Sequence, residues 1–165
     1  MSPQLRTGSK GMAQEIERKY LIDPDILGTL PEGTRIVQGY IPTQGKTAVR
    51  IRLKGEQAYL TIKGENRGAV RSEFEYPIPA EDADAMLAEL CNGQVVDKIR
   101  YLIKHANHTW EVDIFSGNNQ GLIVAEVELD SENESVTLPD WVREEVTGDP
   151  RYYNSSLIDN PYSGW

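Results

Sequence analysis

The chain has 165 residues, 39% apolar and 26% charged, which suits one domain with a modest core. Its net charge of −9 excludes non-specific nucleic-acid binding, because the summed field repels phosphate. A single cysteine, Cys91, excludes an internal disulfide and a multi-cysteine metal centre, and no apolar run approaches the ~20 residues that a membrane-spanning helix needs.

Residues 1–11, MSPQLRTGSKG, are polar and precede a second methionine. They are read as a tag or disordered extension, and 12–165 as a single domain. The N-terminus has no apolar stretch of the secretory kind, so a cytoplasmic protein that binds no membrane is expected. Period-two alternation predicts the first strand over 14–22. One helical turn is expected within 23–30. Strands follow over 35–42, 46–54, 57–64 and 69–78, joined by GEQ and GENRG, which suit hairpin turns. A helix is expected over 79–91, with acids in its first turn and Ala83, Met86, Leu87 and Leu90 on one face. Cys91 reads as a small apolar residue at its end. Strands at 95–105, 108–116 and 122–130 come next, the first two joined by HANH. Helices are expected over 138–146, where Pro139 and early acids suit a helix start, and over 152–159. The expected class is α+β, mainly β: eight antiparallel strands, enough to close a small β-barrel, with a few outer helices.

The polar face of nearly every strand carries charge at alternate positions. These are Glu15, Glu17 and Lys19; Arg50, Arg52 and Lys54; Lys63; Arg71, Glu73 and Glu75; Lys98 and Arg100; Glu111 and Asp113; and Glu126 and Glu128. Side chains two apart share one side of a sheet, and the residues between are mostly apolar. A solvated face would mix Ser, Thr, Gln and Asn with its charges; these faces are nearly all ionic. If the apolar side packs outward, eight acids and eight bases share one interior. Buried charges persist only when paired or ligand-bound. The bases suit a polyanion with several phosphate groups, since the arginine fork matches phosphate oxygens. The acids suit hard divalent cations, Mg²⁺ or Mn²⁺. Phosphates, metal and carboxylates together are the parts of metal-assisted phosphoryl transfer.

The motif EIERK (15–19) fits an E-x-E-x-K signature. In order come QGY (38–40), RIR (50–52), TIK (61–63), RSEFE (71–75), KIRY (98–101), EVDIF (111–115), EVE (126–128) and DPRYYN (149–154). With this ordered set the chain resembles the CYTH superfamily, the triphosphate tunnel metalloenzymes, and looks most like short bacterial members that hydrolyse inorganic triphosphate. The resemblance implies a closed eight-stranded tunnel. It implies metal binding by Glu15 and Glu17 with Glu126 or Glu128, and Asp113 as a further ligand or supporting group. It implies triphosphate binding by Lys19, Arg50, Arg52, Lys63, Arg71, Lys98 and Arg100, with Lys98 stabilising charge on the reacting phosphate. Tyr40 is a candidate proton acceptor, and Arg151 a candidate to close over the tunnel mouth. Glu73 and Glu75 orient bases or a second metal. A homodimer of tunnels is compatible with the family. Alternatives are an adenylate cyclase of the same fold, a thiamine triphosphatase and a non-catalytic polyphosphate-binding module. The carboxylate nest speaks against the last. His105 and His108 flank a turn without nearby acids and are expected in solvent. Trp110, Trp141 and Trp165 read as packing or terminal residues.

Overall fold

The computed structural model describes residues 14–165; the expected extension at 1–11 lies outside them. All eight expected strands are present, and a ninth joins them. They are β1 (Gln14–Ile22), β2 (Thr34–Ile41), β3 (Ala48–Lys54), β4 (Gln57–Lys63), β5 (Val70–Ile78), β6 (Val96–His105), β7 (His108–Phe115), β8 (Ile123–Glu128) and β9 (Val142–Glu145). The sheet runs β5-β4-β3-β2-β6-β7-β8-β1-β9, and β5 also pairs with β1, so the first eight close into an antiparallel barrel. The seam is short: Glu15 lies opposite Arg71 and Ile16 opposite Val70, while Glu17 to Leu21 pair with β8 along the other edge. Where β5 has left β1, β9 takes its place, with Ile22 opposite Val142.

Two hairpins turn as their composition suggests. Gly55, at φ 61°, carries the β3–β4 turn, and Ala106, at φ 54°, carries the β6–β7 turn within HANH. The helix α1 (Pro24–Leu27) is one turn, started by Asp23, whose carboxylate accepts from the Asp25 N–H. The helix α2 (Ala80–Glu89) lies on the outer face of β3 and β4, burying Ala83, Leu87 and the neighbouring Cys91 against Ile51 and Ala58. Leu90 sits one residue past the helix and is exposed. Gly39 explains the close approach of α2. A Cβ there would stand 2.9 Å from Leu87 Cδ2 and 3.1 Å from Cys91 Cβ.

The helix expected over 138–146 does not form. Val142–Glu145 is a strand instead, because Trp141 and Val142 are drawn into the core beside Ile16, Tyr20, Trp110 and Val127. The Asp23 N–H donates to the Trp141 carbonyl, and the Val146 N–H to that of Lys19. Nine residues of weak helical signal do not outweigh that burial and pairing. The expected 152–159 helix splits into a 3₁₀ turn at Pro150–Tyr152 and the short α3 (Ser156–Asp159).

Trp110 and Trp141 pack edge to face at 5.7 Å, while Trp165 ends the chain against Tyr152. His108, expected free in solvent, is mostly buried and bonded at 2.5 Å to Glu134, an acid that the chain returns from a loop. Among the described residues no helix is long and apolar enough to cross a membrane.

Candidate active site

The alternation that makes these segments strands turns one side of each into the barrel. At one end that inner face is apolar. Val96 lies two residues before Lys98, Phe115 two after Asp113, and Val124 two before Glu126. They pack with Tyr152 and Leu157 of the C-terminal segment, which thereby stoppers the barrel. The rest of the interior is a cavity of 240 Å³, lined by all eight bases named above and by seven of the eight acids. The exception among the described residues is Asp113, which is wholly buried in the wall.

On the β6–β7 wall the charges cancel. Register places Arg100 opposite Asp113. Arg100 donates from Nε to Asp113 Oδ1 at 2.8 Å and from Nη2 to Oδ2 at 2.8 Å, while Lys98 Nζ reaches Oδ2 at 2.7 Å. Arg100 also reaches Glu111 and Glu126, each at 3.3 Å. Burial alone would raise the Asp113 carboxyl. Arg100 and then Lys98 outweigh it and hold Asp113 below the usual carboxylate value. Both its oxygens are taken, so of the two roles that the resemblance leaves open for Asp113, ligand or supporting group, this geometry fits the second, a carboxylate that holds two bases in place.

The β2–β3–β4–β5 wall presents arginine. Arg50 Nη2 donates to Thr61 Oγ1 at 3.2 Å and to Glu75 Oε1 at 3.4 Å, and the Thr61 hydroxyl donates to Glu75 at 2.9 Å. Arg50 Nε is buried with no partner among the described residues. Arg52 Nε donates to Gln38 Oε1 at 2.8 Å, and Gln38 Nε2 donates to the Tyr40 hydroxyl at 3.0 Å. Burial, then Arg50 and Arg100, pulls the Arg52 guanidinium down to about 10.

Carboxylates crowd where β1 meets β8. Burial, then the charges of Glu126 and Glu15, pushes the Glu17 carboxyl well above its ordinary value. Burial would also raise Glu126, but Lys19 and Arg100 outweigh it, and Glu17 donates its proton to it, so Glu126 stays well below. A proton shared between two carboxylates relieves the repulsion that burial sharpens. Lys63 reaches Glu15 at 3.3 Å and Glu73 at 3.5 Å. Register sets Glu128 opposite Glu17. The donors are all oxygen, which suits a hard divalent cation. Among the described residues, however, no three ligating side chains form a ready-made cage. The set therefore fits a cation that completes its shell with water and with oxygens of a bound anion.

Other expected residues are placed less simply. Lys19 Nζ donates to the Tyr152 carbonyl at 2.9 Å, and Lys98 Nζ to Asn154 Oδ1 at 3.1 Å. Arg71 lines the cavity, yet gives Nε and Nη2 to the Gly64 carbonyl at 3.2 and 3.1 Å. Arg151 is not brought to the cavity. Its guanidinium is held by Asp149 at 2.9 Å and lies over the Tyr152 and Trp165 rings, 59% exposed. Sequence reading passed over Gln38 and Thr61. Both stand at inward positions of their strands, so the alternation that found the charges could have found them. Asn154 has no such signal, since it sits in a turn.

The comparisons with known proteins fit this geometry. The model of the CYTH domain matches residues 13–156. The chain is 44% identical over 154 residues to an inorganic triphosphatase of Acetivibrio thermocellus, covering 93% of this chain and 99% of that one. It is 35% identical over 151 residues to an inorganic triphosphatase of Nitrosomonas europaea, covering 87% and 95%. The crystal structure of the inorganic triphosphatase NE1496 superposes with a TM-score of 0.63 at 34% identity, over 87% of this chain and 93% of that one. A barrel whose inner face carries the ordered set of charges, and a family match over nearly all the described residues, lead to one conclusion: this chain belongs to the CYTH domain family.

Proposed function

We propose that the chain hydrolyses inorganic triphosphate to pyrophosphate and phosphate, with Mg²⁺ or Mn²⁺ as the metal. The observation that carries this reading is the division of one 240 Å³ cavity. Arginine and lysine line one side, including an Arg50 Nε with no partner among the described residues. Carboxylates crowd the other. A buried guanidinium N–H without an acceptor is costly, and a phosphate oxygen is the acceptor that fits it.

In this reading Arg50, Arg52, Lys63 and Arg100 bind the phosphate oxygens and align the chain of three. Glu15, Glu17, Glu126 and Glu128 hold the cation, which when bound neutralises phosphate charge and lowers the pKa of water. Lys98, held by Asp113, stabilises charge on the departing phosphate. Gln38 fixes Arg52 and Tyr40 together. Because the Tyr40 hydroxyl accepts from Gln38, its own proton is directed toward the ligand, which favours a hydrogen-bond donor over a proton acceptor.

One observation favours a second reading. A roomier chamber of 600 Å³ adjoins the cavity through Tyr40, Arg71 and Tyr153, and Ile41, Pro42 and Ile158 also line it. It would take the organic part of ATP or thiamine triphosphate. The names of the relatives favour the inorganic substrate. Phosphate release from inorganic triphosphate, ATP and thiamine triphosphate, each with Mg²⁺, Mn²⁺ or chelator, separates the two. Metal-dependent turnover of inorganic triphosphate well above the others is the expected result. Cyclic AMP and pyrophosphate from ATP would replace the reading with a cyclase. Chelator-resistant binding without turnover of any of the three would leave a polyphosphate-binding tunnel.

A further inference from the structure

Lys98 is wholly buried and has three N–H donors. One is taken by Asp113 Oδ2 at 2.7 Å and a second by Asn154 Oδ1 at 3.1 Å. The third has no hydrogen-bond acceptor among the described residues; Lys98 lines the cavity, and the Phe115 ring centre lies 5.5 Å from Nζ. A single acceptor lets an ammonium spin about its C–N bond; two acceptors fix its azimuth. Asn154 is set in place independently of Lys98. Its turn lies between two anchors, the Tyr152 carbonyl on Lys19 Nζ at 2.9 Å and the Leu157 carbonyl on Asn119 Nδ2 at 3.3 Å. Tyr152 and Leu157 are both buried in the apolar stopper. The residue type also matters. A neutral amide oxygen holds the ammonium without adding negative charge beside a polyanion, which a carboxylate at that point would do.

We propose that Asn154 is a positioning residue: with Asp113 it aims the remaining Lys98 N–H at the reacting phosphate, so the C-terminal segment completes the active site as well as closing the barrel. This rests on the triphosphatase reading above. The test compares Asn154→Ala, Asn154→Asp and Leu87→Ala in the full chain, by steady-state kinetics on inorganic triphosphate and by NMR of the ¹⁵N-labelled Lys98 ammonium, assigned through its loss in Lys98→Arg. Leu87 lies on the inner face of α2, in a different apolar cluster from the stopper, and its truncation supplies a loss of packing away from the cavity.

Asn154→Ala is expected to lower kcat about tenfold, the equivalent of one oriented hydrogen bond, with KM within about threefold. Asn154→Asp keeps the acceptor, so kcat stays near wild type while KM rises several-fold. Leu87→Ala lowers Tm and leaves kcat and the Lys98 resonance in place. An unchanged kcat in Asn154→Ala would overturn the proposal. So would an equal loss in Leu87→Ala, or a Lys98 resonance that does not shift in Asn154→Ala. Failure of the wild-type chain to release phosphate from inorganic triphosphate would sink the substrate reading alone. The NMR arm would then still decide whether Asn154 fixes Lys98.

Discussion

Asp113 and Glu17 are both acids at inward positions of strands in the same barrel, and they meet opposite fates. Asp113 on β7 faces Arg100 across the register and has Lys98 at 2.7 Å, so its carboxyl is held below its ordinary value. Glu17 on β1 is half-buried and enclosed beside Glu126 and Glu15, so desolvation and then those two charges push its carboxyl well above. The β7 wall is neutral as built and behaves as scaffold. The β1–β8 corner crowds carboxylates together, and in the proposed reading a cation binds there. What separates the two acids is which residue the neighbouring strand sets opposite: Arg100 faces Asp113, and Glu128 faces Glu17.

Glu17→Gln is the sharpest way to test that contrast. Turnover of inorganic triphosphate should fall by on the order of 10³-fold or more in a phosphate-release assay at saturating metal. Stability should move the other way. With a folded value above the unfolded one, the stability that Glu17 lends at low pH is lost as pH rises through the folded value. Removing the charge should therefore raise Tm at neutral pH, as Mg²⁺ should in the wild type. A lower Tm in Glu17→Gln without metal would break the comparison.

Asp113→Ala should do the reverse. It leaves Lys98 and Arg100 as buried cations without their main partner, at a cost of about 3–5 kcal/mol. Tm should drop by on the order of 10 °C in a thermal melt. A Tm close to that of the wild type would show that the β7 wall is not scaffold.

The pH profile sharpens the same point at Lys98. Burial pulls its ammonium down to about 7, with Asp113 only partly restoring it. The folded chain then loses this proton near that value, while the unfolded chain keeps it to about 10.4. Across that window this one group makes stability rise with pH. Over the same window kcat/KM should fall, by about tenfold per unit above about 7, as the free enzyme loses the charge. Lys98→Arg should remove the alkaline limb. A limb unchanged in that variant would assign it to another group.

The smallest effect is expected at Arg151. Its guanidinium is bound to Asp149 at the surface, so Arg151→Ala should change KM for triphosphate by less than about twofold. A tenfold rise would bring Arg151 onto the ligand and would mean that the C-terminal segment moves when substrate binds.

Much of this protein was legible in the chain, and the reason is local. Alternation in a strand is a property of the backbone itself, so EIERK, VRIRLK and WEVDIF declared strands with one charged face before any partner was known. With eight such strands, a charged interior and an apolar exterior followed. The short hairpins were equally plain, since GEQ and HANH need only the two strands beside them. What failed had no local signature. Val142–Glu145 became a strand because β1 offered an open edge where β5 leaves it, a fact of barrel closure. His108 found Glu134 through a loop return. Arg151 is a different case: Asp149, two residues before it, holds it at the surface, a pairing that is local in the chain.

The sequence by itself determined which strand side chains share one face of the sheet, because that depends on period two alone. The tertiary structure alone decided what each does there. Register across strands set Arg100 against Asp113, the pairing of β1 with β8 set Glu17 close to Glu126, and the fold-back of the C-terminal segment brought Asn154 to Lys98. Coulomb energy and desolvation depend on distances between residues far apart in the chain, and only the closed barrel sets those distances.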